Sequence, residues 1–517
     1  LVWASPALAQ TGTITGRVVD STTQQPLPGA TIRLNGTERG ASTREDGSFT
    51  LTAVPTGQQQ LRVSRIGYAA QLSPITVSPG GNTLPPVRLR QLAATLAPVV
   101  AVGYGTVRRE ATTASVSSVN TSEARVGVQP NVNNLIEGRA AGVQVTSNSG
   151  DPGANSQVRI RGGTSITSSD DPLYVIDGIP LLNNATVTPG PGSDGNTAPL
   201  NRSPLNTINP EDIADITILK DAAATAIYGS RAANGVILIT TKRGVAGASS
   251  SEYDGYYAAA TQARKYDLLS GDQYRSFVAG QATLGNLPAS ASSALGSANT
   301  DWQSAVDRTA NIQNHNVAFS GGSQTTQYRA SVNYFDNPAI VQGNYLTRIA
   351  GRLNGSTRLL GDKLGLNVNL NPSQERDRYL VAENTGGFLG GTLLNTLVFN
   401  PTYPVSSNTS TTGYYEQGPG AQNNRNPVAL ASNLQDRATV SRILGNAQAQ
   451  YQFLPALSGT VNVGVDQSSG ARNSFYPNSN PLGAETGGLA QNGQLNATTQ
   501  TINTYLTYDK QFNTGFL

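Results

Sequence analysis

The chain has 517 residues, 13% of them charged, with 55 glycines, 28 prolines and a formal net charge of +3. So even a balance gives no argument for nucleic acid or an anionic membrane surface as the main partner. Cysteine is absent and His315 is the single histidine, which excludes disulfides, thiolate metal sites and His-rich zinc sites and speaks against a Ser-His-Asp triad.

The first ten residues, "LVWASPALAQ", run from apolar residues into Ala7-Leu8-Ala9, the small-x-small pattern that closes a secretory signal. Residues 1–9 read as the remnant of a signal peptide, which implies export. No apolar run reaches the ~18 residues of a membrane-spanning helix, so any insertion must be by strands.

Residues 10–96 alternate apolar and polar side chains in short runs: "TITGRVVD", "ATIRL", "SFTL" and "QLRVSRIGY". Pro28-Gly29, Asn35-Gly36 and Asp46-Gly47 separate them as turns, and the pattern predicts a small β-sandwich. The next stretch, residues 97–106, is Val-rich and lacks turn chemistry. On composition alone it is a linker strand or a last strand of the sandwich.

Residues 107–245 mix strands ("VQVTSN", "VRIRGG", "PLYVIDGIP", "ADITILK", "GVILITTK") with short helices. Asn209 is placed to cap a helix opening on Pro210, and Asp221 to cap "AAATAIY", which Gly229 stops. No phosphate loop and no dinucleotide fingerprint is present, and no cofactor is implied.

From 246 to 517 the chain turns to long amphipathic strands. In "YRASVNYF" Tyr328, Ala330, Val332 and Tyr334 share one face, and Arg329, Ser331 and Asn333 share the other. "KLGLNVNL", "NAQAQYQF" and "LSGTVNVGVD" repeat the pattern, with polar faces rich in Asn, Gln, Ser and Thr. The runs approach the roughly 9–11 residues of a tilted transmembrane strand, and Tyr residues stand on the apolar face as in an aromatic girdle. Export, strand length and tyrosine placement together predict that the apolar phase is lipid. His315 reads as a plain strand residue.

Two segments of the middle region, residues 158–181 and 209–244, closely resemble the plug of SusC-like (SusC/RagA) TonB-dependent transporters. Residues 301–354 are similar to the first barrel strands of that family, and residues 13 to about 90 resemble the carboxypeptidase regulatory-like domain that precedes the plug. The resemblance implies a mainly β protein: regulatory-like sandwich, Ton box, α/β plug and the first part of a transmembrane antiparallel barrel, which is of the 22-stranded class in the complete family member. Only roughly eight or nine strands are readable after residue 251, too few to surround a plug, so the expectation is a piece of a longer protein, missing a few residues at its start and much of its barrel at its end.

What the resemblance implies for function follows from its parts. Val99, Val100, Ala101, Val102, Gly103 and Tyr104 become the Ton box, an unpaired segment offered as an added strand to TonB, which is energised from the inner membrane. Arg159, Arg161 and Asp177, in the plug signatures, become candidates for gating ion pairs, with ordinary structural salt bridges as the alternative. A SusD-like surface lipoprotein is implied as a lid, and an oligosaccharide or peptide as cargo. Tyr403, Tyr414 and Tyr415, set among Asn, Ser and Thr in the long turn-rich segment 375–437, offer ring faces suited to sugars. The implied location is a bacterial outer membrane with the sandwich in the periplasm. A secreted β-rich adhesin is the competing reading, and no arrangement of residues suggests catalysis.

Overall fold

The computed structural model describes residues 11–509 except 22–23, 36, 38, 66–67, 90–98, 103–104, 109–115, 126, 148, 164–169, 182–184, 191–201, 222–224, 381–390, 417–423 and 485. The described chain forms two compact units, one holding the sandwich and the other the middle region with the long strands. The signal-peptide segment 1–9 lies outside the described residues.

The sandwich consists of β1 (Thr11–Asp20), β2 (Thr31–Leu34), β3 (Gly40–Ser42), β4 (Ser48–Pro55), β5 (Gly57–Ser64), β6 (Gln71–Val77), β7 (Gly80–Thr83) and β8 (Val87–Leu89). One sheet has the order β4-β1-β7 with β8 also on β1, and the other β3-β2-β5-β6. Alternate residues point between them, so Ile14, Val18, Ile32, Leu34, Phe49, Leu51, Leu61 and Val63 share one core. The Asp46-Gly47 turn forms as its sequence dictates: Gly47 has φ +76° and the Asp46 carboxylate accepts from the Ser48 amide (3.0 Å) and hydroxyl (2.7 Å).

Beyond it, β9 (Val99–Val102) and β10 (Gly105–Arg108) make a two-stranded sheet. The middle region is built on β11 (Val116–Asn120), β12 (Val143–Ser147), β13 (Ser156–Ile160), β14 (Leu173–Ile176), β15 (Ile179–Pro180), β16 (Ile213–Leu219) and β17 (Val236–Thr241). Its sheet has the order β11-β16-β17-β14-β15, with only the β14–β17 pair parallel, and β12 and β13 form a separate hairpin. Both faces of β14, β16 and β17 are covered, and Tyr174, Ile176, Ile216, Ile218, Ile237 and Ile239 belong to one core. That double burial explains why "YVI" and "VILIT" read as continuous apolar runs.

Asn209 caps as expected, its Oδ1 accepting from the Glu211 amide at 3.2 Å, but the element it opens is a single 3-10 turn, Pro210–Asp212. Gly229 breaks the following element as expected: with φ +68° and ψ −155° it is non-helical and separates two short turns within the 3-10 stretch Ala226–Ala232. The expected Asp221 cap faces residues 222–224, outside the described residues.

The long strands are β18 (Gly247–Ala260), β19 (Ala310–Gly322), β20 (Thr326–Pro338), β21 (Tyr345–Leu359), β22 (Leu364–Arg378), β23 (Gln435–Leu454), β24 (Leu457–Tyr476) and β25 (Leu489–Tyr508). They form one eight-stranded antiparallel sheet in sequence order. One end carries the tight connections 323–325, 360–363 and 455–456, and the other the connections 261–309, 339–344, 379–434 and 477–488. This asymmetry is that of membrane barrels, short turns below and long loops above.

The polarity of the wall is inverted relative to a soluble sheet. Val332, Leu353, Val368 and Phe319 are exposed on the outside, 62%, 54%, 52% and 52%, whereas Asn316, Asn333, Asn354 and Asn369 are buried inside. Inside, amides bond from strand to strand: Asn333 donates to Asn314 (2.8 Å), Asn354 to Asn369 (2.7 Å), Asn369 to Asn446 (2.9 Å) and Asn446 to Asn462 (3.1 Å). An apolar outer face is stable only against an apolar phase, so lipid is what this wall fits. His315 sits on that outer face, its Nδ1 2.8 Å from the Tyr253 hydroxyl.

Candidate functional site: the plug, its wall and the long loops

The polar inner face of the wall grips the middle region with arginines. Arg348, 1% exposed, donates from one nitrogen to three main-chain carbonyls, Pro130 (3.1 Å), Asn206 (2.8 Å) and Ile208 (3.1 Å), and lies over the Phe335 ring. Four residues along β21, on the same face, Arg352 pairs with Asp177 at 3.0 Å. Arg442 on β23 holds Asp466 through two bonds (2.8 and 2.6 Å) and donates to the Pro204 carbonyl at 3.2 Å. Ser331 donates to Asp212 at 2.7 Å, and Arg329 lies 3.7 Å from the same carboxylate. Two-pronged guanidinium contacts fix orientation as well as charge.

Nearer the long loops the charges form a larger cluster. Arg202 lies 3.5 Å from Asp377 and 3.8 Å from Asp151, and Arg472 clasps Asp436 at 2.8 and 2.7 Å. Both guanidiniums sit over the Tyr379 ring, at 4.4 and 4.2 Å. Burial pulls the Arg202 guanidinium toward losing its proton, and Asp377, Tyr379, Asp151 and Glu375 outweigh that pull, so it stays charged. Wall glycines allow close approach: a Cβ on Gly470 would overlap the Thr186 carbonyl of the middle region.

The three charged residues singled out in the sequence do not meet. Arg159 pairs with Asp170 at 3.5 Å and Arg161 with Asp221, all within the middle region. Asp177 alone reaches the wall. It and Gly178 form the two-residue loop of the β14–β15 hairpin, with φ +48° and +87°, the signature of a type I′ turn. Thus Asp-Gly first turns the chain and then presents a carboxylate that accepts from the Thr241 amide (3.1 Å) and hydroxyl (2.6 Å) as well as from Arg352.

The Val99–Tyr104 segment departs from expectation. Val99, Val100, Ala101 and Val102 are not unpaired, because β9 pairs with β10; Gly103 and Tyr104 lie outside the described residues. A lone two-stranded ribbon is marginally stable, and β9 has no second strand neighbour among the described residues.

Of the three tyrosines, the structure joins two. Tyr403 stacks on Tyr415 with centroids 4.4 Å apart, Phe399 meets Tyr403 edge-on at 6.1 Å, and Trp302 of the 261–309 loop meets Phe399 edge-on at 4.9 Å. The Tyr403 hydroxyl donates to the Ala294 carbonyl at 3.1 Å, whereas Tyr414 forms a bridge to Ser406. Beside the stack, a cleft of about 590 Å³ between the two longest loops is lined by Tyr266, Tyr274, Trp302, Phe399, Lys265 and Asp301 among others.

Sequence reasoning passed over two features here. The helix Gly271–Thr283 in the first long loop carries a capping box, Ser270 with Gln273, legible as S-x-x-Q. The wall arginines were legible as charges on the polar face of "RIAGRLN", but their carbonyl partners lie more than a hundred residues away.

Residues 14–102 match the CarboxypepD_reg-like domain and residues 108–236 the TonB-dependent Receptor Plug Domain. The chain is 36% identical to TonB-dependent receptor SusC of Bacteroides thetaiotaomicron over 489 residues, which is 90% of this chain and 45% of that protein. It is 33% identical to TonB-dependent receptor P3 of Formosa agariphila over 507 residues, 98% of this chain and 47% of the other. The fold is shared with the RagAB peptide importer in its open-open state, with a TM-score of 0.62 and 25% identity over 80% of this chain and 47% of that one. The chain spans about half the length of the curated relatives it matches. It carries the regulatory-like domain, the plug and eight barrel strands of a TonB-dependent receptor of the SusC and RagA type, a family of outer-membrane β-barrels.

Proposed function

We propose that the protein is an active importer of the outer membrane, drawing energy through TonB, rather than an enzyme or an adhesin. The observation that carries this reading is a wall with lipid-compatible outer and polar inner faces, its inner face occupied by a separately folded plug. A surface adhesin would have no use for a blocked lumen. The regulatory-like domain then lies in the periplasm.

Val99–Tyr104 serve as the Ton box. The β9–β10 ribbon gives way to a ribbon between β9 and TonB, an exchange of one set of main-chain bonds for another. Deleting residues 99–104 is expected to abolish uptake by cells while leaving ligand binding at the surface unchanged. Undiminished uptake by that deletion would contradict the assignment.

The cargo on this reading is an oligosaccharide too large for porins, delivered beneath a SusD-like lipoprotein lid. Support comes from the aromatic-lined cleft and the stack of Tyr403 on Tyr415, flat apolar surfaces beside amides and hydroxyls. Asp177 acts in gating by holding the plug to Arg352 of the wall until force arrives, while Arg159 and Arg161 brace the plug internally through Asp170 and Asp221. Titration of the full-length protein with its lid partner, oligosaccharides against peptides, tests the cargo. Tight peptide binding without sugar binding would replace glycan import by peptide import, as in the RagAB peptide importer.

A further inference from the structure

On the outer face of the wall, beyond the apolar band and toward the long loops, three arginines stand together. Arg376 and Arg378 follow one another on the outward face of β22, alternating with the buried carboxylates Glu375 and Asp377. Arg437 on β23 is directly opposite Arg378 in the register. Like charges directly opposite one another destabilise a sheet.

Among the described residues no acidic side chain relieves this pair. Thr439 and Asn473 are the other cross-strand neighbours, on β23 and β24, and Thr347 and Tyr345 are those on β21. Among the described residues neither Arg376, Arg378 nor Arg437 makes an ion pair. Arg376 donates to Gln374 (3.2 Å) and Arg378 to the Leu434 carbonyl (3.0 Å), and the Arg378 Nε is buried without a partner. Below them on the same face come Pro372, Leu370 and Val368 on β22 and Ile443 on β23. A strand rises ~3.3 Å per residue, so with a tilt of ~40° Arg376 stands about 10 Å above Pro372. That is the depth of lipid headgroups when the apolar band sits in acyl chains.

We propose that Arg376, Arg378 and Arg437, with Gln374, form a binding site for a phosphorylated lipid headgroup of the leaflet on the long-loop side. A phosphate between the opposed guanidiniums would turn a repulsive pair into two charge-assisted contacts, while the acyl chains lie along Leu370 and Ile443. The proposal rests on the reading of these strands as membrane-spanning.

The test uses the full-length protein, extracted from outer membranes and delipidated by detergent exchange, with native mass spectrometry as readout. The probes are a phosphorylated lipid A, the same lipid after phosphatase treatment, phosphatidylglycerol, and inorganic phosphate alone. The wild type is expected to retain phosphorylated lipid A at least ten-fold better than its dephosphorylated form. The R376Q/R378Q/R437Q variant is expected to lose that preference, and R376K/R378K/R437K to keep part of it. Preferential retention of phosphatidylglycerol, lost in the same Gln variant, supports the same site with a phospholipid as its source. Equal retention by wild type and the Gln variant overturns the proposal, as does binding of inorganic phosphate without lipid. Fractionation separates the two readings: a variant in the outer membrane with unchanged lipid retention sinks only the headgroup site, whereas wild type absent from the membrane sinks the transporter reading with it.

Discussion

Arg352 and Asp177 join wall to plug with side chains that are 2% and 5% exposed. A buried pair of this kind is costly to break from one side, because the partner left behind keeps its charge without compensation. The expected loss is about 3–5 kcal/mol for Asp177→Leu or Arg352→Met alone. The double variant Asp177→Leu/Arg352→Met strands no charge and should lose distinctly less than the sum of the two. Chemical denaturation of each purified full-length variant measures the cycle, and entry of a large antibiotic normally excluded by the outer membrane reports a loosened plug. Strict additivity of the three values would show that the two side chains do not act as a pair. The Asp-Gly dipeptide announced this turn in the sequence. Nothing local announced that its carboxylate would meet an arginine 175 residues further on.

Strand by strand, the sequence was legible because a period of two survives whichever phase each face meets. "YRASVNYF" gives β20 its two faces directly, and burial follows the alternation residue for residue. What the alternation withholds is which face is inside, and here the polar one is, against the habit of soluble sheets. The expected export, the strand length and the tyrosines on the apolar face supplied that decision. The helix Gly271–Thr283 escaped because its apolar residues lack a clear stripe, and only its cap speaks. The β9–β10 pairing escaped because a Val-rich run is compatible with many partners. The polarity of the wall is open to a direct check at Val332, which faces outward between buried Ser331 and Asn333. Val332→Arg should destabilise the inserted protein by about 2–4 kcal/mol, the cost of a cation at the bilayer midplane. Val332→Leu should be near neutral. Folding into lipid vesicles, followed by the gel mobility of unheated protein, measures both; an Arg variant folding as well as wild type would mean that this face does not meet lipid.

At the scale of the molecule, the plug is a domain with a core of its own rather than a filling continuous with the wall. Its main cluster gathers isoleucines, leucines and valines from β11 to β17, and Leu444 is the one wall residue among its buried members. Arginine–carboxylate pairs and bonds to main-chain carbonyls hold it in place, with a small apolar cluster of Val187 against Tyr379, Ala438 and Val440 beside them. Apolar burial is proportional to area and gives a domain its cooperativity, while polar contacts across an interface exchange with water at small net gain per bond. The wall differs again: every interior strand has hydrogen-bonded neighbours on both sides, and lipid offers its main-chain groups no alternative partner. These two kinds of support predict two transitions in the full-length protein. With rising urea, protease cleavage between residues 116 and 241 should appear while the wall still migrates as folded, unheated protein. The slope of the first transition should match a domain of plug size, because the slope follows the surface exposed. A single transition, with cleavage and loss of folded mobility at the same midpoint, would show that plug and wall unfold as one cooperative unit and that their polar interface is stronger than this argument allows.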